Sequence, residues 1–374
     1  MSPAAGANLI INRRSTIRVI FRCASMKTTS IAVLGILAAQ PAFGFLAPPP
    51  CICGPVTLRL GLRMMAESDT SMRGKVVLVT GCNSGGMGSA TAAALMRQDA
   101  HVIGVSRSDA GTINELSKHG PFVPAGDVQP ASFSCVSSDL ASLDSVRAAA
   151  SDISNLYTGG IDVMVANAGI MAPPFAQTVD GYESQVQINF LSQFLLVRLL
   201  ADSKCLNEGE AKVIQISSLS SERASFAADD LSLINAAKCS ADSYDGMAAY
   251  RLSKLAQVLA APEIATRLKV ESYSVHPGVV NTPLFYKNVS PTMRPLLSGL
   301  AGIAGKLGAV RSPEQGAETA VFLASKASGV GGDNKSRGLY WADKAVRKPN
   351  PQLEDIVLRD SLWRQASDLV GLPP

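Results

Sequence analysis

The chain predicts an α/β fold, a doubly wound parallel sheet with helices on both faces, and three observations carry that expectation. Short β-branched runs alternate with longer helical stretches from residue 75 onward, the pattern of strand–helix–strand units whose helices cover both faces of a parallel sheet. The first of those runs leads directly into a glycine-rich turn that opens a helix. Polar side chains able to do chemistry fall at strand ends, where sheets of this kind place their ligands. With 374 residues and 47% hydrophobic content, the chain has ample material for a large core.

Residues 1–70 read as a targeting leader and residues 71–374 as one domain. Residues 1–66 hold seven basic side chains and no Asp or Glu, so the overall net charge of +4 becomes −3 for the remainder, 27 basic against 30 acidic. A basic excess confined to the leader, with no Lys/Arg stripe interleaved with aromatics in the body, argues for targeting and against nucleic acid as a partner. Met26-Lys27, the apolar run Ile31–Ala39 and the small residues after Pro41 have the layout of a signal peptide over about 26–44. That run is too short to span a bilayer. Residues 42–48, Ala-Phe-Gly-Phe-Leu-Ala-Pro, resemble the phenylalanine-at-plus-one cleavage motif of algae with secondary red plastids. Residues 45–70, basic and free of acid until Glu67, then suit a transit-like segment, and a plastid is the expected address; the secretory pathway or endoplasmic reticulum is the alternative. Met26 is a second candidate start. Seven cysteines, at positions 23, 51, 53, 82, 135, 205 and 239, show neither metal-ligand spacing nor an even disulfide framework. With His101, His119 and His276 the only histidines, no metal site is expected.

Lys75–Thr80 is the first strand, followed by Gly81-Cys82-Asn83-Ser84-Gly85-Gly86-Met87-Gly88 and a helix over Ser89–Gln98. Glycines permit the tight turn and let backbone N–H groups approach a pyrophosphate at the helix N-terminus, which makes Gly81, Asn83, Ser84, Gly85, Gly86 and Gly88 candidate cofactor contacts. The second strand, His101–Val105, ends at Ser106-Arg107-Ser108. Arg107 stands where NAD sites often keep an acidic residue for the ribose hydroxyl, and arginine suits a 2′-phosphate, so NADP(H) is expected over NAD(H). Phe133–Ser137 is the third strand. Asp139, in the Ser138-Asp139-Leu140 that follows, can accept from an adenine amino group or cap the helix near Leu143–Leu156. The fourth strand, Ile161–Ala166, runs into Asn167-Ala168-Gly169, small enough for close approach to the adenine ribose. Gly181–Leu200 is helical with Asn189 inside it, and a buried mid-helix Asn needs a reason. Ala211–Ser217 is the fifth strand and delivers Ser218 at its carboxyl end. The helix Met247–Leu268 and the sixth strand, Val270–Val275, are followed by His276-Pro277-Gly278-Val279-Val280-Asn281-Thr282. On that helix Tyr250 and Lys254 share a face. An ammonium close to a phenol favours the phenolate and lowers its pKa, so the pair can give or take a proton; a solvated Tyr and Lys on an amphipathic face is the bland alternative.

Over about residues 73–370 the chain resembles the short-chain dehydrogenase/reductase superfamily, a Rossmann-fold family. The resemblance rests on Thr80-Gly81, Asp139-Leu140, Asn167-Ala168-Gly169, Asn189, Ser218, Tyr250 with Lys254, and Pro277-Gly278 with Thr282, all in order. Asn167–Pro173, Asp180–Glu183, the 32-residue gap from Ser218 to Tyr250, Ser253–Ala256 and the closing stretch from Leu362 to Gly371 resemble its retinol-dehydrogenase-like branch, which includes plastid import-apparatus relatives. Two departures stand out. The turn has one residue more than the family's T-G-x-x-x-G-x-G, so Gly85 or Gly86 takes the middle role. After Asn189 the chain reads Phe-Leu-Ser-Gln-Phe where relatives have a Gly-His pair, which bears on helix packing and on a homodimer.

The resemblance implies a catalytic set of Asn189, Ser218, Tyr250 and Lys254. Tyr250 protonates a carbonyl oxygen as hydride arrives, Ser218 orients that carbonyl, Lys254 lowers the tyrosine pKa and holds the nicotinamide ribose, and Asn189 holds a helix kink and a relay water. It also implies cofactor contacts from Leu140, Asn167, Gly169 and Thr282, beside the residues above, and a small apolar carbonyl or alcohol as substrate. A plastid scaffold or redox sensor that binds NADPH without turnover is a second expectation, and reduction of a tetrapyrrole, as in protochlorophyllide reductases, a third. A lid over about 283–311, rich in Leu and Ile with four basic residues and no acidic one, can cover substrate or lie on a membrane surface.

Overall fold

The structure, a computed structural model, describes residues 71–107, 109–226, 244–283, 310–326 and 338–374. The leader and nearly all of the expected lid lie outside the described residues. The strands are β1 (Val76–Thr80), β2 (His101–Ser106), β3 (Ser132–Ser137), β4 (Val163–Ala166), β5 (Lys212–Ile216), β6 (Glu271–Val275), β7 (Tyr340–Ala342) and β8 (Ala345–Val346). The helices are α1 (Met87–Met96), α2 (Asp109–Leu116), α3 (Leu143–Leu156), α4 (Ser184–Val186), α5 (Ser192–Asp202), α6 (Gly246–Arg267), α7 (Pro313–Ser325) and α8 (Ile356–Leu369). None among the described residues is long and apolar enough to cross a membrane.

The strands form one sheet in the order β3-β2-β1-β4-β5-β6-β7-β8, the Rossmann-type α/β arrangement that the sequence predicts. All neighbours are parallel up to β7, but β8 runs antiparallel to it, so the sheet carries one reversed edge strand that the sequence reading did not include. Asp343 and Lys344, between Ala342 and Ala345, both have positive φ, 53° and 59°. That is the backbone of a tight two-residue hairpin, ordinarily signalled by Asn-Gly or Asp-Gly, and Asp-Lys hides it.

Strand side chains alternate between two cores. Val76, Leu78, Ile103, Met164 and Val213 enter one core with residues of α3, α5, α6 and α8, while Val77, Val79, Val102, Val165 and Ile214 enter the other with α1 and α7. Burial on both faces is why β1, β2, β4 and β5 read as runs of apolar residues rather than alternating ones. Because β2 and β3 lie on one side of β1 and β4 on the other, the chain reverses direction across the sheet between β1 and β4. The crevice beyond the carboxyl ends of such strands is where open sheets bind ligands, and it receives the glycine turn after β1 and Asn167 to Gly169 after β4. The C-terminus is tied down by three side chains: Tyr182 Oη donates to Leu369 O at 2.8 Å, Arg147 to Val370 O, and Arg198 to Pro373 O at 2.8 Å.

Candidate active site

Gly81 leaves β1 with φ +76°, and a Cβ there would stand 2.9 Å from Ala168 Cα. Only glycine lets the two strand ends come this close. Thr80 binds them together: its hydroxyl accepts from the backbone N–H groups of Asn167 and Ala168, both at 3.0 Å. The Asn167 amide donates to Thr80 O at 2.8 Å, so that side chain braces the turn. Gly88 is needed for the same packing, since a Cβ would stand 2.4 Å from Gly81 O and 2.5 Å from Asn167 Nδ2. Within the turn Gly85 takes the positive φ, +69°, while Gly86 is extended and forms the N-cap of α1. The extra residue is thus absorbed at Gly85, and Gly86 faces the cavity.

Between α4 and α5 the helix widens into a π segment, Gln187–Leu191, a form that appears mostly as single-turn bulges and often at functional sites. Asn189 sits in it, fully buried, and accepts from Ile170 N at 2.8 Å while donating to Ile170 O at 3.0 Å and Ser253 Oγ at 2.9 Å. The mid-helix Asn therefore joins the loop after β4 to α6. A Cβ at Gly169 would lie 3.0 Å from Asn189 Oδ1 and 3.4 Å from Lys254 Nζ, so both side chains crowd the face of that glycine where a Cβ would stand. Where relatives have Gly-His, Ser192 Oγ donates to Leu140 O at 2.6 Å and Gln193 Nε2 reaches Thr80 Oγ1 at 3.1 Å and Ala168 O at 3.2 Å. The substitution that stood out in the sequence is an internal staple among β1, β3 and β4.

Helix α6 begins at Asp245, whose carboxylate accepts from Met247 N at 2.8 Å and Ala248 N at 3.0 Å. It is stitched to β5 and its end by Ser217 Oγ donating to Lys254 O at 2.8 Å and Gln215 Nε2 to Gln257 O at 3.0 Å. Lys254 Nζ donates to Ile216 O at 2.7 Å and Gln257 Oε1 at 3.0 Å, with no carboxylate among its partners. Burial alone pushes its pKa down to about 7, since desolvation disfavours the ammonium. The Lys254 nitrogen lies 5.9 Å from the centre of the Tyr250 ring. Tyr250 does not carry the lowered pKa expected from that neighbour: burial raises it, and a hydrogen bond with Ser218 only partly opposes the rise. The reason is depth. Both groups are taken out of water, and burial opposes the charged form of each.

These groups share a cavity of about 1480 Å³. Of the residues expected to touch a cofactor or substrate, Gly81, Asn83, Ser84, Gly86, Arg107, Asp139, Leu140, Asn167, Gly169, Ser218, Tyr250, Lys254 and Thr282 line it. Gly85 and Gly88 are not on its wall: Gly85 takes the positive φ of the turn and Gly88 packs against Gly81 O; Asn189 stands behind the wall, bonded to Ile170. Asp139 does not cap α3, because Ser142 does so, accepting from Ser145 N, while Asp139 Oδ1 accepts from Ala141 N at 3.0 Å. Ser84 donates to Glu115 Oε2 at 2.8 Å. Sequence reasoning missed Met171, Leu219, Arg223, Met247 and Arg251, all of which line the cavity. The available signal was the four-residue spacing of Met247 and Arg251 beside that of Tyr250 and Lys254.

A family described as short chain dehydrogenase matches residues 75–229. Human retinol dehydrogenase 14 is 33% identical over 313 residues, covering 80% of this chain and 88% of that protein, and mouse retinol dehydrogenase 11 is 30% identical over 314 residues, covering 83% and 90%. Among solved structures, an NAD(P)-dependent gluconate 5-dehydrogenase from Beutenbergia cavernae, with bound NADP at low occupancy, aligns with a TM-score of 0.51 at 25% identity, covering 70% of this chain and 94% of that one.

Proposed function

Because the chain belongs to the short-chain dehydrogenase/reductase superfamily, in its retinol-dehydrogenase-like branch, we propose that it interconverts an apolar aldehyde or ketone and its alcohol, using NADP(H). The observation that carries the reading is the meeting of Ser218, Tyr250 and Lys254 on one cavity that also holds the glycine turn and Arg107. The residues fit a nicotinamide dinucleotide: Gly81, Asn83, Ser84 and Gly86 of the turn line the cavity, the N-terminus of α1 opens behind Gly86, and Arg107 is exposed at the end of β2. Backbone N–H groups at a helix N-terminus suit a pyrophosphate. The bound cofactor supplies or accepts the hydride.

The chain's own residues do the rest. Ser218 and Tyr250 present two hydroxyls to the same cavity, where both can address one substrate oxygen. Tyr250, a phenol neutral at physiological pH whose pKa burial raises further, donates its proton to the oxygen of a carbonyl, and its phenolate takes one from an alcohol in the reverse direction. Lys254, when protonated, stabilises the phenolate left behind, and Asn189 fixes the loop carrying Ile170 against α6. The walls of Ile170, Met171, Ile188, Leu219 and Met247 offer apolar contact to the substrate.

Cofactor preference rests on Arg107, and Arg107→Ala tests it. The substitution is expected to weaken NADPH about tenfold to a hundredfold, the loss of one charge-assisted contact worth roughly 1.5–3 kcal/mol, and to leave NADH nearly unchanged. Titration of each cofactor against intrinsic fluorescence measures the ratio. An unaltered ratio removes Arg107 from the cofactor site.

A further inference from the structure

Two more arginines line the cavity, and neither has a role in hydride transfer. Arg223 ends the 3-10 turn Leu219–Arg223 that follows Ser218, and Arg251 follows Tyr250 on α6, the helix against which that turn packs. Among the described residues, neither guanidinium donates a hydrogen bond or forms an ion pair. Other arginines of the described residues are held by carboxylates. Arg267 pairs with Glu263 and Asp360, Arg311 and Arg347 with Asp343, and Arg364 with Asp360.

The acidic residues nearest the two arginines in sequence, Glu222 and Asp245, are engaged elsewhere. The Glu222 carboxylate accepts from Tyr340 Oη at 3.2 Å, and the Asp245 carboxylate caps α6. Among the described residues, the single carboxylate on the cavity wall is Asp139, beyond β3. Exposure grades outward along α6: Lys254 is 4% exposed, Tyr250 7%, Arg251 half-buried and Met247 37%. The arginines therefore stand toward the mouth of the cavity, outside the proton-transfer groups, with the part-exposed apolar side chains of Leu219 and Met247 also on its wall. An electropositive rim on an apolar cleft raises the local concentration of an anionic ligand and holds it by charge-assisted hydrogen bonds.

We infer that the substrate is an amphiphile, an aldehyde or alcohol on an apolar chain that ends in an anionic group, a carboxylate or a phosphate, held by Arg223 and Arg251. The inference rests on the hydride-transfer reading and narrows it from any apolar carbonyl to one with an acidic end. Arginine suits this task because its planar fork matches both acids with two parallel hydrogen bonds.

The test uses a dead-end complex, so that binding is read without turnover. Full-length protein is saturated with NADPH and titrated calorimetrically with ω-hydroxydecanoate, ω-hydroxydecyl phosphate and the neutral decanediol. The acid or the phosphate is expected to bind at least about tenfold tighter than the diol, and whichever binds tighter identifies the group. In Arg223→Gln with Arg251→Gln that preference is expected to fall to about twofold or less, with NADPH affinity preserved. Equal binding of all three ligands to the parent protein overturns the inference, as does a preference that survives in the double variant. A selective loss of NADPH affinity in that variant overturns it too, by assigning the arginines to the cofactor. Oxidation of the diol by NADP⁺ without any acid preference would leave the proposed reaction standing and remove only this inference. An acid preference in a protein that turns over no alcohol or aldehyde would do the reverse.

Discussion

Tyr250→Phe is expected to fold, to bind NADPH as the parent does, and to lose turnover by about a hundredfold to ten-thousandfold, the range that a positioned proton donor contributes. The size of the loss follows from the site. Tyr250 is 7% exposed and lines the cavity beside Ser218, so its hydroxyl is the group placed to give a proton there. The substitution removes one oxygen and leaves the ring and its contact with Lys254. Steady-state kinetics with parallel cofactor titration checks both halves of the expectation. Retention of most activity would move the proton donor elsewhere, with Ser218 the first candidate.

The second large effect concerns Lys254, whose proton is held loosely until a ligand arrives. Its folded-state pKa, about 7 against an ordinary 10.5, means that between those two values the unfolded chain binds a proton that the folded chain does not. Stability from this group therefore rises with pH across that window, and below about pH 7 its full cost is present. Lys254→Met should remove the slope, so urea unfolding at pH 7 and pH 9 should show the parent gaining stability relative to the variant as pH rises. Binding of a polyanionic cofactor favours the ammonium. NADPH association near pH 8 should accordingly take up a proton, an uptake that calorimetry in two buffers of different ionisation enthalpy detects and that Lys254→Met should abolish along with most turnover. Proton-neutral NADPH binding by the parent would mean that Lys254 does not sense the cofactor.

The sheet was legible in the sequence as far as its strands were apolar runs long enough to be buried on both faces, which is why β1, β2, β4 and β5 lie within about two residues of their expected ends. Strands β7 and β8 escaped because three and two residues carry no periodicity, and because Asp343-Lys344 lacks the usual hairpin glycine. Helices α2, α7 and α8 have apolar faces that a reading centred on motifs passed over, although Ser312-Pro313 with Gln315 spells a capping box at the start of α7. At the site, residue identity was enough to find Ser218, Tyr250 and Lys254, since chemistry and order constrain them. It could not give depth. The burial that raises the Tyr250 pKa and lowers that of Lys254 comes from packing α6 against β5 and the π segment, contacts between residues far apart in sequence. The glycines show the same limit: only the structure shows that a Cβ at Gly88 would approach Gly81 O to 2.4 Å, a packing demand that spacing does not reveal.

Hydride transfer is the centre of the account, and isotopic labelling reads it most directly. Full-length protein is supplied with NADPH carrying deuterium at the transferable position of the nicotinamide, together with a set of long-chain aldehydes with neutral and acidic ends, and the products are examined by mass spectrometry. The account predicts alcohols with one deuterium on the carbinol carbon, formed by the parent and nearly absent with Tyr250→Phe. Tight binding of NADPH with no deuterium passed to any member of the set would contradict it, and would favour a chain that holds the cofactor as a scaffold or sensor.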